Sequence, residues 1–192
     1  SIRFAKILIN VAQPKKEIFD PFCGTGTILQ EASLMGYSCI GLDRQIIDAR
    51  KNLRWLQKKF VSAKGKWDLI QGDAARLSKR VKKVECVVTE PYLGPFFKRP
   101  PLFREALKIS KELEQLYAKV LSELHKVVDN KVVILIPQIK TKERKVVTIP
   151  MVKILKNTGF KVCNPAKGVI IPLLYDDVKN NVQRLVYILE KV

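Results

Sequence analysis

Residues 18–27, Ile-Phe-Asp-Pro-Phe-Cys-Gly-Thr-Gly-Thr, constrain the fold more than any other stretch of this chain. A short apolar strand runs into an acid, then into a glycine-rich turn, then into a helix. In an open α/β sheet such a turn leaves bare backbone and a carboxylate at the carboxyl end of a strand, where nucleotide-like ligands bind. Gly24 and Gly26 permit positive φ and a close approach of the backbone to a ligand. No Lys follows the second glycine, so the turn is not a phosphate-cradling P-loop, and it lacks the third glycine of the dinucleotide fingerprint. A nucleoside cofactor without a phosphate fits better, and S-adenosylmethionine is the first candidate.

The rest of the chain repeats this alternation. Period-2 and apolar runs predict strands at 17–22, 38–43, 67–71, 85–89 and 132–136, with two more at 161–164 and 185–189. Helices are expected at 3–12, 26–35, 45–60, 104–128 and 149–157, and a short one near 74–79. The clearest is 104–128, where Leu113, Leu116, Tyr117, Val120, Leu121, Leu124, Val127 and Val128 form one apolar stripe. Gly36 and Gly159 stop their helices. Strands alternating with helices predict a parallel sheet with right-handed crossovers. The expected fold is α/β and Rossmann-like, a seven-stranded, mostly parallel sheet with an antiparallel edge strand and helices on both faces. Residues 1–192 read as a single domain. Segments 95–103 and 138–148 read as irregular loops.

Charge gives the second signal. The chain carries a formal net charge of +18 over 192 residues, which points to an anionic partner, nucleic acid first. Its 47% of hydrophobic residues supplies a core, yet no apolar run approaches the ~20 residues of a membrane helix. The N-terminal apolar stretch is broken by Lys6 and Asn10 and offers no cleavage site for a signal peptide. Four cysteines show neither CxxC pairs nor zinc spacing, and His125 stands alone. That reads as no metal site, no disulfide framework and a reducing, cytoplasmic setting.

Asp-Pro-Phe-Cys-Gly-Thr-Gly resembles the first motif of class I S-adenosylmethionine-dependent methyltransferases. With Arg3 and Ala5 in the N-terminal helix, Gly41-Leu42-Asp43-Arg44, Gly72-Asp73-Ala74 and Thr89-Glu90-Pro91-Tyr92-Leu93-Gly94, the chain is similar to the tRNA guanosine-10 N2-methyltransferase type. The resemblance implies S-adenosylmethionine as cofactor and RNA, tRNA above all, as partner. Members of that type often carry an upstream RNA-binding THUMP domain, which these residues do not include.

Acids at four strand ends, Asp20, Asp43, Asp73 and Glu90, are more than packing needs. By the resemblance, Asp43 would accept hydrogen bonds from the cofactor's ribose diol. Arg44 would lie beside it, and Asp73 with Ala74 would face the adenine. Phe22, Cys23, Gly24, Thr25 and Gly26 would line the methionine end, and Asp20 would attract its positive charge. Asp43 and Asp73 also suit helix capping.

Glu90, Pro91 and Tyr92 form the expected reacting loop. An exocyclic amine has its lone pair delocalised into the base, so it needs acceptors for its hydrogens and a flat surface to hold the base in line. The family pattern is Asp or Asn, two prolines, Tyr and then Gly. This chain has Glu, one proline and an aromatic one place early. Phe96, Phe97, Lys98 and Arg99 follow, suited to stacking a base and holding a phosphate. The reading is methyl transfer to an exocyclic amine of RNA, N2 of a guanosine in tRNA first. Two others stay open: a non-catalytic RNA-binding subunit that keeps the fold, and an amino-methyltransferase acting on DNA adenine or ribosomal guanine.

Overall fold

The computed structural model describes residues 2–63, 65–166, 168–175 and 181–192. In chain order the elements are α1 (Ile2–Ala12), β1 (Glu17–Asp20), α2 (Thr27–Leu34), β2 (Ser38–Asp43), α3 (Ile47–Lys59) and β3 (Trp67–Gln71). A 3-10 helix (Ala74–Lys79), β4 (Cys86–Thr89), α4 (Phe103–Val127), β5 (Val132–Lys140) and β6 (Val146–Thr148) follow. The chain closes with α5 (Met151–Thr158), β7 (Phe160–Val162), β8 (Leu173–Tyr175) and β9 (Val182–Lys191).

All the strands belong to one sheet, in the order β3-β2-β1-β4-β5-β9-β7, with β6 on β5 and β8 on β9. β3, β2, β1, β4 and β5 run parallel, as expected of helix-linked strands. β9 is antiparallel to both its neighbours, β5 and β7. The seven-strand path matches the sequence expectation, with two differences. The antiparallel strand lies inside the sheet rather than at its edge, and β6 and β8 are additions. Segment 138–148 is therefore a hairpin and not an irregular loop: β5 continues through Lys140 and pairs with β6. Pro137 suggested an end to the strand. It is tolerated because β4 stops at Thr89, opposite Ile134, so β5 has no partner on that side at Pro137.

Alternation along the strands builds two cores. Phe19, Val87, Val132 and Ile134 point to the face covered by α4, α5 and the 3-10 helix. Ile18, Cys86, Val88, Val133 and Leu135 point to the face covered by α1, α2 and α3. α4 buries Leu113, Tyr117, Val120, Leu121 and Leu124 along the stripe read from the sequence. Both sheet faces are thus apolar, and the acids at the strand ends fall on the one edge left open. Among the described residues no helix is long and apolar enough to cross a membrane.

Candidate active site

The turn after β1 takes the shape its glycines allow. Gly24 has φ 49° and Gly26 φ 84°. A Cβ at Gly24 would meet nothing, so that peptide faces open space. A Cβ at Gly26 would sit 3.3 Å from Ala49 Cβ, because α3 packs against the turn. The Gly24 N–H donates to Asp43 Oδ2 at 2.9 Å, which ties the turn to the end of β2. Cys23 is buried, and burial pushes its thiol well above the usual range. It is a packing residue beside Gly41, where a Cβ would lie 2.9 Å from its sulfur.

Two clefts meet along the open edge. The larger, about 430 Å³, is lined by Phe22, Asp43, Arg44, Asp73, Ala74, Glu90, Pro91 and Tyr92, with Leu116 of α4 as its apolar wall. The second, about 220 Å³, is lined by Asp20, Phe22, Cys23, Gly24, Thr25 and Glu90, and α1 closes it with Phe4, Ala5 and Leu8. Phe22 and Glu90 border both. Gly26 lines neither, and serves the site through the turn's backbone.

The acids differ in their surroundings. Asp43 accepts from Gln45 N–H at 3.1 Å as well as from Gly24. Asp73 caps the 3-10 helix through Ala75 N–H at 2.9 Å and pairs with Arg44 at 3.1 Å. The backbone bond, then Arg44, holds its carboxyl below the usual value. Capping and cleft-lining therefore coexist at both positions. Asp20 is buried beneath the second cleft and accepts from Thr89 Oγ1 at 2.7 Å and Phe22 N–H at 3.0 Å. Burial outweighs these bonds and raises its pKa to about 7.

The reacting loop is held from two sides. Tyr117, fully buried in α4, donates its hydroxyl to the Tyr92 carbonyl at 2.7 Å. Arg184 of β9 donates through Nε to Glu90 Oε1 at 2.7 Å. Glu90 Oε2 makes no bond among the described residues. Arg184 also lines a third cleft, about 180 Å³, with Leu93, Gly94, Phe96, Phe97, Asn181 and Val182. Glu90 thus stands between the first two clefts and this one. Phe96 is 83% exposed, whereas Phe97 is partly buried against Ala106, Ile139 and Val147. Lys98 and Arg99 are exposed beyond them.

Sequence reasoning missed Arg184, Tyr117 and Thr89. Tyr117 was hidden within an apolar stripe, and Arg184 stood just before the strand read at 185–189. Only Thr89, a hydroxyl ending an apolar strand beside the acid, carried a local signal. Among the described residues no group of three or more His, Cys, Asp or Glu is placed to hold a metal ion.

The family model for RMKL-like methyltransferase domains matches residues 3–62. A tRNA (guanine(10)-N2)-dimethyltransferase of Pyrococcus abyssi is 26% identical over 98% of this chain and 49% of its own length. A protein of the same name from Methanothermobacter thermautotrophicus is 32% identical over 65% of this chain and 34% of its own. The structure of TrmN from Thermus thermophilus superposes with a TM-score of 0.65 at 20% identity, covering 100% of this chain and 49% of that one. The chain has the fold of class I methyltransferases. It spans about half the length of the Pyrococcus relative, and its glycine-rich turn, strand-end acids and acid-Pro-Tyr loop all lie on one sheet edge.

The clefts suit S-adenosylmethionine. The larger presents a carboxylate at the end of β2 and flat apolar walls, as an adenosine requires. The second is bordered by Asp20 and Glu90, which suit a sulfonium and an ammonium.

Proposed function

We propose that this domain transfers a methyl group from S-adenosylmethionine to an exocyclic amine of RNA, N2 of a guanosine in tRNA. The observation that carries the reading is the position of Glu90, shared by the two cofactor-sized clefts and bonded to a residue of the third. The activity of the sequence relatives, tRNA (guanine(10)-N2)-dimethyltransferases, supports the choice of guanosine and of tRNA. The cytoplasm is part of the same reading, suggested by the tRNA-methylating relatives.

When bound, the cofactor supplies an electrophilic methyl group on a positively charged sulfur. Asp43 holds the ribose hydroxyls, its carboxylate already fixed by Gly24 and Gln45. Asp73 and Ala74 border the adenine end, and Arg44 fixes Asp73. Phe22 and the 23–26 turn border the methionine end, with Asp20 below. Glu90 Oε2 accepts an N–H of the target amine, which turns the nitrogen lone pair away from the ring and toward the second cleft. On methylation the target nitrogen would shed one proton, for which Glu90 would be the acceptor at hand. Pro91 stiffens the loop by fixing its own φ. Tyr92, 57% exposed, offers its ring to the base, while Tyr117 keeps its backbone in place. Phe96, Phe97, Lys98 and Arg99 receive the base and its phosphate.

The test is methyl transfer from labelled S-adenosylmethionine to unmodified total tRNA, with nucleoside analysis of the product. N2-methylguanosine is the expected product. Cofactor binding without incorporation into any RNA would overturn the reading in favour of a non-catalytic subunit.

A further inference from the structure

We infer that the β5–β6 hairpin and the 98–104 segment form one rigid cationic ledge that grips the RNA backbone beside the target nucleotide. The inference rests on the proposed RNA substrate and adds a surface that the sequence alone left as two separate irregular loops.

The two segments are about forty residues apart in the chain yet joined in space. Lys142 N–H donates to the Pro101 carbonyl at 2.9 Å, and Phe103 N–H donates to Glu143 Oε2 at 3.0 Å. Lys145 Nζ lies 5.1 Å above the Phe103 ring. Beneath them Ala106, Ile139 and Val147 form a small core with Phe97 and Phe103. The ledge is therefore a packed unit, and its cations do not need to be gathered from a flexible loop when RNA arrives.

Its charge is one-sided. Lys98, Arg99, Arg104, Lys142, Arg144 and Lys145 are all exposed. Among the described residues none of the six pairs with a carboxylate. The two acids on the ledge are turned to backbone: Glu143 to Phe103 N–H and Glu105 to Leu102 N–H. Six unneutralised cations on a fixed surface are the electrostatic footprint of a phosphate backbone.

Position supplies the remaining argument. β5 runs parallel to β4 and overshoots it, since Thr89 is level with Ile134 while β5 continues to Lys140. The hairpin thus projects roughly 17 Å beyond the level of Glu90, at about 3.3 Å per strand residue. The third cleft lies between, with exposed Phe96 at its rim. A strand whose target base reaches Glu90 past that cleft would lay its neighbouring phosphates on the ledge and stack an adjoining base on Phe96.

The experiment measures binding of an unmodified tRNA transcript across a salt series. It compares wild type, Lys142→Gln with Arg144→Asn, and a control pair, Lys79→Gln with Lys82→Gln, on exposed surface that precedes β4. Asn is chosen at 144 because that residue has φ 58°. The ledge pair is expected to bind about tenfold more weakly, with a log-log salt slope shallower by roughly 1.5 units; the control pair should lose less than about threefold. Equal losses in both pairs, or none in either, would overturn the ledge while leaving the RNA substrate standing. A wild-type protein that binds no tRNA would overturn both. Cofactor affinity, measured alongside, should be the same in all three proteins and shows that each is folded.

Discussion

Arg184 and Glu90 are 94 residues apart in the chain and 2.7 Å apart in space. Their strands, β9 and β4, lie on opposite sides of β5. Two strand spacings amount to about 9.5 Å, which only long side chains can bridge. The register places Arg184 opposite Pro137 of β5, and Thr89 opposite Ile134, so the bond runs diagonally over the open edge. An Asp at position 90 would fall short by about one carbon–carbon bond. The departure from the usual acid therefore has a structural counterpart: the extra methylene reaches an arginine that fixes one carboxylate oxygen and leaves the other without a bond among the described residues.

That pairing is testable by a double-mutant cycle. Glu90→Gln should lower kcat by about 10²–10³, since it removes the acceptor for the amine proton. Arg184→Ala should lower kcat by about tenfold with cofactor affinity unchanged, and Arg184→Lys should restore part of the loss. The double variant should be no worse than Glu90→Gln alone, because the arginine acts through the carboxylate. Additive losses would mean that Arg184 works independently.

Tyr117→Phe removes the donor to the Tyr92 carbonyl without opening a cavity. One net hydrogen bond, about 1 kcal/mol of stability, should be lost. The more telling readout is activity. The KM for RNA should rise several-fold while the KM for cofactor holds, because the proposed mechanism sets the Tyr92 ring against the base. Unchanged kinetics would show that the loop holds its shape without this bond.

Asp20 gives the domain a pH signature. Its carboxyl has an ordinary pKa of 3.8 in the unfolded chain and about 7 in the fold. Between those values the unfolded chain is ionised while the fold still carries the proton. The fold is therefore stabilised at low pH, and that contribution is lost as pH rises from about 4 to about 7. Melting curves should show a smaller decline over this range in Asp20→Asn. Cofactor affinity should move the other way, rising with pH in wild type as Asp20 ionises beneath a cationic ligand, and flattening in the variant. Parallel pH profiles in both proteins would place the ligand's charge elsewhere.

Asp43→Ala should weaken cofactor binding by about 2–3 kcal/mol, roughly 30- to 150-fold, as charge-assisted bonds to the ribose are lost. It also frees Gly24 N–H, so part of the loss reflects a looser turn. Asp43→Asn, which keeps an acceptor for Gly24, should recover that part. Wild-type affinity in both variants would remove the ribose role.

Much of the architecture was legible from local pattern. The parallel strands declared themselves through apolar runs, and α4 through its stripe. The 18–27 turn and the strand-end acids marked the open edge, since nothing in a core explains them. β6 and β8 were not legible, because three-residue strands carry no alternation to read. The true end of β5 was obscured by Pro137. Phe97 looked equivalent to Phe96 in sequence, yet one packs into a small core while the other faces solvent.

The sequence by itself determined which edge of the sheet would carry the glycine turn and the carboxylates, because glycine φ, strand-end carboxylates and helix spacing are local properties of consecutive residues. It also determined that the surface would be strongly cationic. Only the tertiary structure decided which residues meet there. Arg184 reaches Glu90 because β9 inserts beside β5, Tyr117 reaches Tyr92 because α4 packs under the loop, and two basic segments become one surface because a hairpin folds onto Pro101. Those contacts depend on strand order and packing between distant segments, and no local pattern in the sequence records them.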